Sequence, residues 1–234
     1  MNTNSKPRIL CLSGPARNGK DQSATYIAEA LRECGNSVLV THFADLLKFM
    51  AKNLYGWQGE KEGPARYEIN GQAVNGRGLL QVLGTDIIRA KEPDLWVNFV
   101  IKEIELLGDN WDCVLISDCR FLNEIDRFKE EGYDTALIKV IRPGFDNGLT
   151  EEQNSHPSER AMDGYPADIV IVNNADIDGL KRVCRSVAGI ISRADRLESE
   201  YTTTFYTSNG RMEGKEKSGY SEPRENGDSE PERD

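Results

Sequence analysis

RILCLSGPARNGKDQSATYIAEAL, residues 8–31, decides how this chain is read. An apolar run, RILCLS (8–13), leads into GPARNGK (14–20), which fits G-x-x-x-x-G-K. Ala24, Ile27, Ala28 and Leu31 then recur at i, i+3, i+4 and i+7, the spacing of one helical face. A strand, a glycine-bounded turn and a helix in that order make a phosphate-binding loop. Gly14 and Gly19 let the backbone curl so that its N–H groups converge, and the helix start adds positive partial charge. Lys20 is placed to reach the β- and γ-phosphates of a bound triphosphate, and Arg17, Asn18, Asp21 and Gln22 complete the expected cradle. Arg17 either adds a second cation or faces solvent.

Asp21 departs from the usual pattern, in which a Ser or Thr hydroxyl after the lysine ligates Mg²⁺. A carboxylate is also a hard oxygen ligand, and it suits the first turn of a helix. Asp21 is therefore expected to help position Mg²⁺, the competing reading being a helix-start carboxylate turned away; Ser23 is the substitute ligand.

Working outward, four more short apolar runs read as strands: SVLVT (37–41), CVLIS (113–117), TALIKVI (135–141) and DIVIV (168–172). Most are continuous rather than alternating, as in strands buried on both faces of a parallel sheet. Helical patterns lie between them, around Trp96–Leu107, Leu122–Phe128 and Ile177–Ile191. This alternation predicts a three-layer α/β fold of the P-loop NTPase type with a five-stranded parallel sheet. Residues 42–108 form the largest insert, expected to be mostly helical and to carry the second substrate. Residues 1–194 make the domain. Residues 195–234, ending GKEKSGYSEPRENGDSEPERD, are acidic and polar and are expected to be disordered. Cutting the chain near residue 195 is accordingly expected to leave activity unchanged.

A net charge of −10 argues against nucleic acid and anionic membranes as partners. The five cysteines are scattered, with no metal-ligand spacing, and read as reduced, small hydrophobes of a cytoplasmic protein. Neither a signal peptide nor an apolar run near 18 residues is visible.

A second acid, Asp118, stands at the end of the CVLIS strand, where ligands gather in open α/β sheets. It reads as a partner of Mg²⁺ or as a turn residue opening the next helix. Arg120 reaches a phosphate or is tied up by Glu124. In the insert, GRGLLQVLGTDIIR (76–89) sets Arg77, Gln81, Thr85, Asp86 and Arg89 among core leucines and isoleucines. Gln81 and Thr85, four apart, share a face that suits a base edge or simply solvent. Asp45 and Lys48 follow the second strand, where an acceptor nucleoside would be met; a helix start explains Asp45 as well. Arg142 ends the fourth strand, placed to meet phosphates or stack on a base. His156 and Ser158 in SHPSE (155–159) lack the glycine elbow of a Ser-His hydrolase.

SGPARNGKD, LLQVLGTD, SDCR with the acidic helix after it, VIRPG and the His-x-Ser-Glu loop, in that order, make residues 8–192 resemble the phage-type deoxynucleoside monophosphate kinases. The resemblance implies transfer of the ATP γ-phosphoryl group to a dNMP with Mg²⁺, an acceptor site in the insert, a lid-like region from Arg142 onward, and a homodimer. Within it, Lys20, Asp118, Arg120 and Arg142 would be catalytic, Arg77 and Arg120 holding the acceptor phosphate and Arg142 closing over the reaction. Asp45, Lys48, Arg77, Gln81, Thr85, Asp86 and Arg89 would bind substrate, and Asp21 and Asp118 the metal. Two positions depart from the pattern: Gln22 stands where Thr is common, and Gly78 replaces the second of two arginines. Rival readings are a P-loop kinase for dephospho-coenzyme A or phosphomevalonate, and a nucleotide-binding regulator or ATPase without a small acceptor.

Overall fold

The computed structural model describes residues 6–108, 110–193, 204–207 and 210–213. β1 (Arg8–Ser13) runs into α1 (Lys20–Glu33), β2 (Val38–Thr41) into α2 (Ala44–Tyr55). A hairpin of β3 (Tyr67–Ile69) and β4 (Gln72–Val74) precedes α3 (Gly76–Gln81), which continues as a π-helical segment, Val82–Arg89. Then come α4 (Leu95–Leu107), β5 (Cys113–Ile116), α5 (Asn123–Glu130) and β6 (Thr135–Ile141). Two short helices follow, α6 (Glu151–Ser155) and α7 (Pro157–Arg160), then β7 (Ile169–Val172), α8 (Ile177–Ile191), β8 (Thr204–Thr207) and β9 (Gly210–Glu213).

The main sheet has the order β2-β5-β1-β6-β7-β8-β9. β1 is central because Ile9, Leu10, Cys11 and Leu12 all bury completely, so helices must cover both of its faces. Leu10 pairs with Leu115 of β5 on one side and Ala136 of β6 on the other. Leu10 and Leu12 point into a layer formed with α1 and α8, where Ile27, Leu31 and Val187 pack. Ile9 and Cys11 point the other way, toward Val100 of α4, Phe128 of α5 and the insert. The result is the expected three-layer α/β fold. Four of the five cysteines lie in this core and Cys34 is exposed. No helix among the described residues is long and apolar enough to cross a membrane.

Two expectations are corrected. The parallel part of the sheet has six strands, not five: β8 pairs parallel to β7, Ile169 opposite Thr204, and β9 returns antiparallel as a seventh strand. β8 and β9 fall in the stretch expected to be disordered, and the Tyr206 ring is 5% exposed against the α1–α8 layer. The remainder of 194–234 lies outside the described residues. The insert, expected to be mostly helical, also carries the β3–β4 hairpin. Asn70 (φ 52°) and Gly71 (φ 73°) turn it, and positive φ at both central residues is the tight hairpin turn that Asn-Gly favours.

Candidate active site

The loop between β1 and α1 is held from three sides. At Gly14 (φ 136°) an added Cβ would lie 2.1 Å from the Val140 carbonyl oxygen of β6, so only glycine passes. Gly19 (φ 97°) packs as closely on the Asn173 amide, 2.8 Å from where a Cβ would sit. Asn18 is buried and works as a clasp. Its Nδ2 donates to the Ala16 carbonyl at 3.0 Å, its Oδ1 accepts from the Arg142 N–H at 2.6 Å, and its own carbonyl accepts from Asn173 Nδ2 at 3.0 Å. The loop is thus tied to the ends of β6 and β7 before any ligand arrives. Gln22 is exposed and does not line the cavity.

Lys20 folds back over the loop, its ammonium donating to the carbonyls of Gly14 (2.8 Å) and Pro15 (2.9 Å). Burial, then the nearby Arg120 guanidinium, pulls its pKa down from 10.5 to about 8. Asp21 is exposed to the cavity, and its Oδ1 accepts a hydrogen bond from the Ser117 hydroxyl at 2.6 Å. Ser23 is wholly buried and does not line the cavity.

Asp118 does more than sequence reasoning assigned to it. Its Oδ1 accepts from the Phe43 N–H at 2.9 Å and its Oδ2 from the Ala44 N–H at 3.0 Å, so it caps α2, a helix remote in sequence. The four N–H groups at a helix start lack intrahelical partners, and a carboxylate satisfies two of them here. Asp118 also lines the cavity. Among the described residues no group of three or more potential metal-ligating side chains occurs. The carboxylates that do line the cavity beside the loop, Asp21 and Asp118, are hard oxygen donors that fit Mg²⁺, which takes one or two carboxylates when substrate phosphates and water supply the rest.

These groups border one cavity of about 460 Å³ at the carboxyl ends of β1, β2 and β5. Phe43, Leu47, Leu80 and Trp96 give it an apolar wall, and Arg17, Lys48, Gln81, Thr85 and Arg120 also line it. The wall depends on the π-helical segment. Gly84 lets Leu47 of α2 approach to 2.5 Å from where a Cβ would stand, and the Gly84 carbonyl accepts from the Trp96 indole at 3.2 Å. The buried Nε2 of Gln81 has no hydrogen-bond partner, which leaves a donor for a ligand.

Arg77 lines the cavity, and its guanidinium donates through both Nε (3.1 Å) and Nη2 (2.7 Å) to Glu62, whose same oxygen accepts from Arg17 at 2.9 Å. Glu62 so bridges the loop after β1 to α3, and the Arg77 bond holds its carboxyl below the usual range. Arg120 donates to Glu159 at 2.5 Å and to the Ser158 carbonyl at 2.7 Å. Lys61 has its pKa lowered by burial and then by Lys48, Arg120 and Arg77.

Four residues singled out from the sequence sit elsewhere or serve the fold. Asp45 pairs with Lys48 (2.9 Å) and His42 (3.0 Å) outside the cavity lining. Asp86 lies 3.6 Å from His156 Nε2. The Arg142 guanidinium lies over the Phe145 ring, 4.1 Å from its centroid. Arg89 borders the cavity, but it pairs with Glu124, donates to Asn123 Oδ1 at 2.9 Å and stacks on Phe121 at 3.9 Å. His156 Nδ1 meets the Ser158 hydroxyl (2.8 Å) and N–H (3.2 Å), which caps α7.

Sequence reasoning missed Lys61, Glu62, Glu124 and Glu159 as cavity residues. Glu159 stands inside a quoted motif and was legible. Lys61 and Glu62 lie in a glycine-rich stretch with no periodicity, and no local pattern marks them.

The model of the family described as Deoxynucleotide monophosphate kinase matches residues 65–183, from the β3–β4 hairpin through α3 and β5 to α8. A protein of Acanthamoeba polyphaga mimivirus assigned as a deoxynucleotide monophosphate kinase is 33% identical over 191 residues, 73% of this chain and 90% of that one. The chain belongs to the deoxynucleotide monophosphate kinase family. The deoxynucleotide monophosphate kinase of Enterobacteria phage T4 is 27% identical over 106 residues, 44% of this chain and 41% of that protein. Among solved structures, the Mycobacterium tuberculosis APS kinase CysC in complex with AMPPNP and APS has a TM-score of 0.47 at 13% identity, covering 80% of this chain and 98% of that chain. As a deoxynucleotide monophosphate kinase the chain is an enzyme that transfers a phosphoryl group to a dNMP, and the rival readings from sequence give way to this one.

Proposed function

We propose that the enzyme takes the γ-phosphoryl group from ATP, with Mg²⁺, and delivers it to a dNMP held in the cavity under the insert, releasing dNDP and ADP. The observation that carries this reading is an excess of cations over carboxylates around one cavity in a chain of net charge −10. Lys20 and Lys61 both line it, and both are held below their ordinary pKa by desolvation and by neighbouring cations. Such a cluster calls for two sets of phosphates.

The loop N–H groups and Lys20 hold the donor phosphates, Lys20 exchanging the Gly14 and Pro15 carbonyls for phosphate oxygens. Arg77, Lys61 and Arg120 hold the acceptor phosphate, which competes with Glu62 and Glu159 for them. The apolar wall takes the base, with Gln81 and Thr85 at its edge. Asp21, with Asp118, would hold Mg²⁺, which when bound offsets charge on the β- and γ-oxygens. Transfer needs oxygens in line and spreading charge offset, and the acceptor phosphate is already ionised at neutral pH, so no general base is required. On the family resemblance, the same proposal makes the enzyme a cytoplasmic homodimer.

The test is ADP release with ATP and Mg²⁺ across dNMPs, NMPs, dephospho-coenzyme A and phosphomevalonate. ADP release that depends on a dNMP is expected. Release independent of any acceptor, or greatest with either coenzyme precursor or mevalonate ester, would overturn the assignment.

A further inference from the structure

In the usual phosphate loop the hydroxyl follows the lysine and the carboxylate stands at the end of a neighbouring strand. Here the neighbouring strand, β5, is followed by a hydroxyl, Ser117, as well as by a carboxylate, Asp118, and a further carboxylate, Asp21, follows the lysine. Ser117 and Asp21 are in contact, the Ser117 hydroxyl donating to Asp21 Oδ1 at 2.6 Å. Ser117 is 1% exposed and does not line the cavity, so it is out of reach of a ligand. Asp21 is exposed and does line it. No described residue bonds to Asp21 Oδ2.

We infer that Ser117 is a positioning residue for Asp21: its hydroxyl fixes the carboxylate by Oδ1 and leaves Oδ2 directed to the metal that accompanies the donor nucleotide. The inference rests on the proposed role of Asp21 in holding Mg²⁺. A hydroxyl against an ionised carboxylate at this distance forms a charge-assisted bond, among the stronger kinds. An unsupported Asp21 on an exposed first turn would sample several rotamers and would lose orientational entropy on ligating a metal. Ser117 removes that loss beforehand, as partners behind a ligating side chain commonly do. Asp118, the next residue, already has both oxygens bonded to the start of α2. At the end of β5, Ser117 thus orients the loop carboxylate, and Asp118 ties down the start of α2 while lining the cavity.

The experiment is a Mn²⁺ titration of the full chain with a non-hydrolysable ATP analogue, followed by the electron paramagnetic resonance signal of free Mn²⁺. Wild type, Ser117→Ala, Asp21→Ala and the double variant are compared, each checked by thermal melting. Ser117→Ala is expected to weaken Mn²⁺ binding about tenfold, with analogue binding in the absence of metal unchanged. Ser117→Thr, which keeps the hydroxyl, is expected to restore it. In the Asp21→Ala background, Ser117→Ala is expected to add nothing. If Ser117→Ala does not fold, Ser117→Cys, of similar size and a weak donor, takes its place. If Asp21→Ala weakens Mn²⁺ binding and the serine variant does not, or weakens it equally in both backgrounds, the positioning role is wrong and the role of Asp21 stands. If Asp21→Ala itself leaves Mn²⁺ binding unchanged, the reading of Asp21 fails, and this inference with it.

Discussion

Lys20→Ala is expected to lower kcat for dNMP-dependent ADP release by about 10²–10³-fold, with a melting temperature close to wild type. The ammonium bonds only to the carbonyls of Gly14 and Pro15, and water can replace it there. Folding gains little from a buried cation whose pKa has been pulled down to about 8; that shift shows the charged form is disfavoured in the free protein. The charge is useful only once phosphates occupy the loop, so its loss falls on turnover. A second signature follows from the same pKa. Phosphates favour the ammonium and raise its pKa, so ATP binding should take up a proton near pH 8, about half a proton per site. Calorimetry in buffers of different ionisation enthalpy reads this uptake, and Lys20→Ala should abolish it. The stability sign is fixed as well. Because the folded-state pKa lies below the unfolded value of 10.5, the cost of burying the ammonium is fully present below about pH 8 and fades as pH rises toward 10.5. A Lys20→Ala protein that turns over dNMP at a near-native rate would remove the donor assignment.

Arg89→Met is expected to destabilise the fold by about 2–4 kcal/mol at pH 8 and by clearly less at pH 5.5. Arg89 was legible as a candidate substrate cation, yet it joins the π-helical segment to α5 through Glu124 and Asn123. Glu124 is 2% exposed, and burial raises its pKa from 4.5 to about 7 against the opposing pull of Arg89. A carboxyl whose folded-state pKa is raised contributes most below its unfolded pKa and loses that contribution as pH rises through about 7. At pH 8 the variant must therefore either bury an ionised Glu124 without its counter-ion or take up a proton there, and both cost stability, whereas at pH 5.5 the group is already neutral and misses Arg89 less. Denaturant unfolding at the two pH values measures the difference. An equal loss at both would mean that Arg89 acts through its contacts with Asn123 and Phe121 and not through Glu124.

The first five strands of the sheet were legible because strands covered on both faces must be apolar throughout, and RILCLS and TALIKVI can satisfy little else. β8 was not. TFYT (204–207) is short and lies in a tail whose acidic composition dominates any window drawn around it. The β3–β4 hairpin carried a signal, Asn70-Gly71, that the helical pattern around it obscured. In the site, the loop could be read from spacing alone, because its chemistry is local. The clasp made by Asn18 could not, since its partners Arg142 and Asn173 stand 124 and 155 residues away. The same holds for Glu62, whose role exists only when folding brings Arg17 and Arg77 to one carboxylate. Contacts set by tertiary structure leave no period in the sequence.

The sixth parallel strand changes what the end of the chain is for. β8 takes up the outer N–H and C=O groups of Ile169–Ile171, a row of β-branched residues that would otherwise form the border of the sheet. A protein cut near residue 195 would keep its catalytic cavity and lose this cover. Bare strand borders recruit one another, so the shortened enzyme would tend to pair with its own copies and come out of solution. The segment 204–213 thus moves the border of the sheet from the β-branched row of β7 to β9, Gly210–Glu213, whose sequence GRME includes two charged residues.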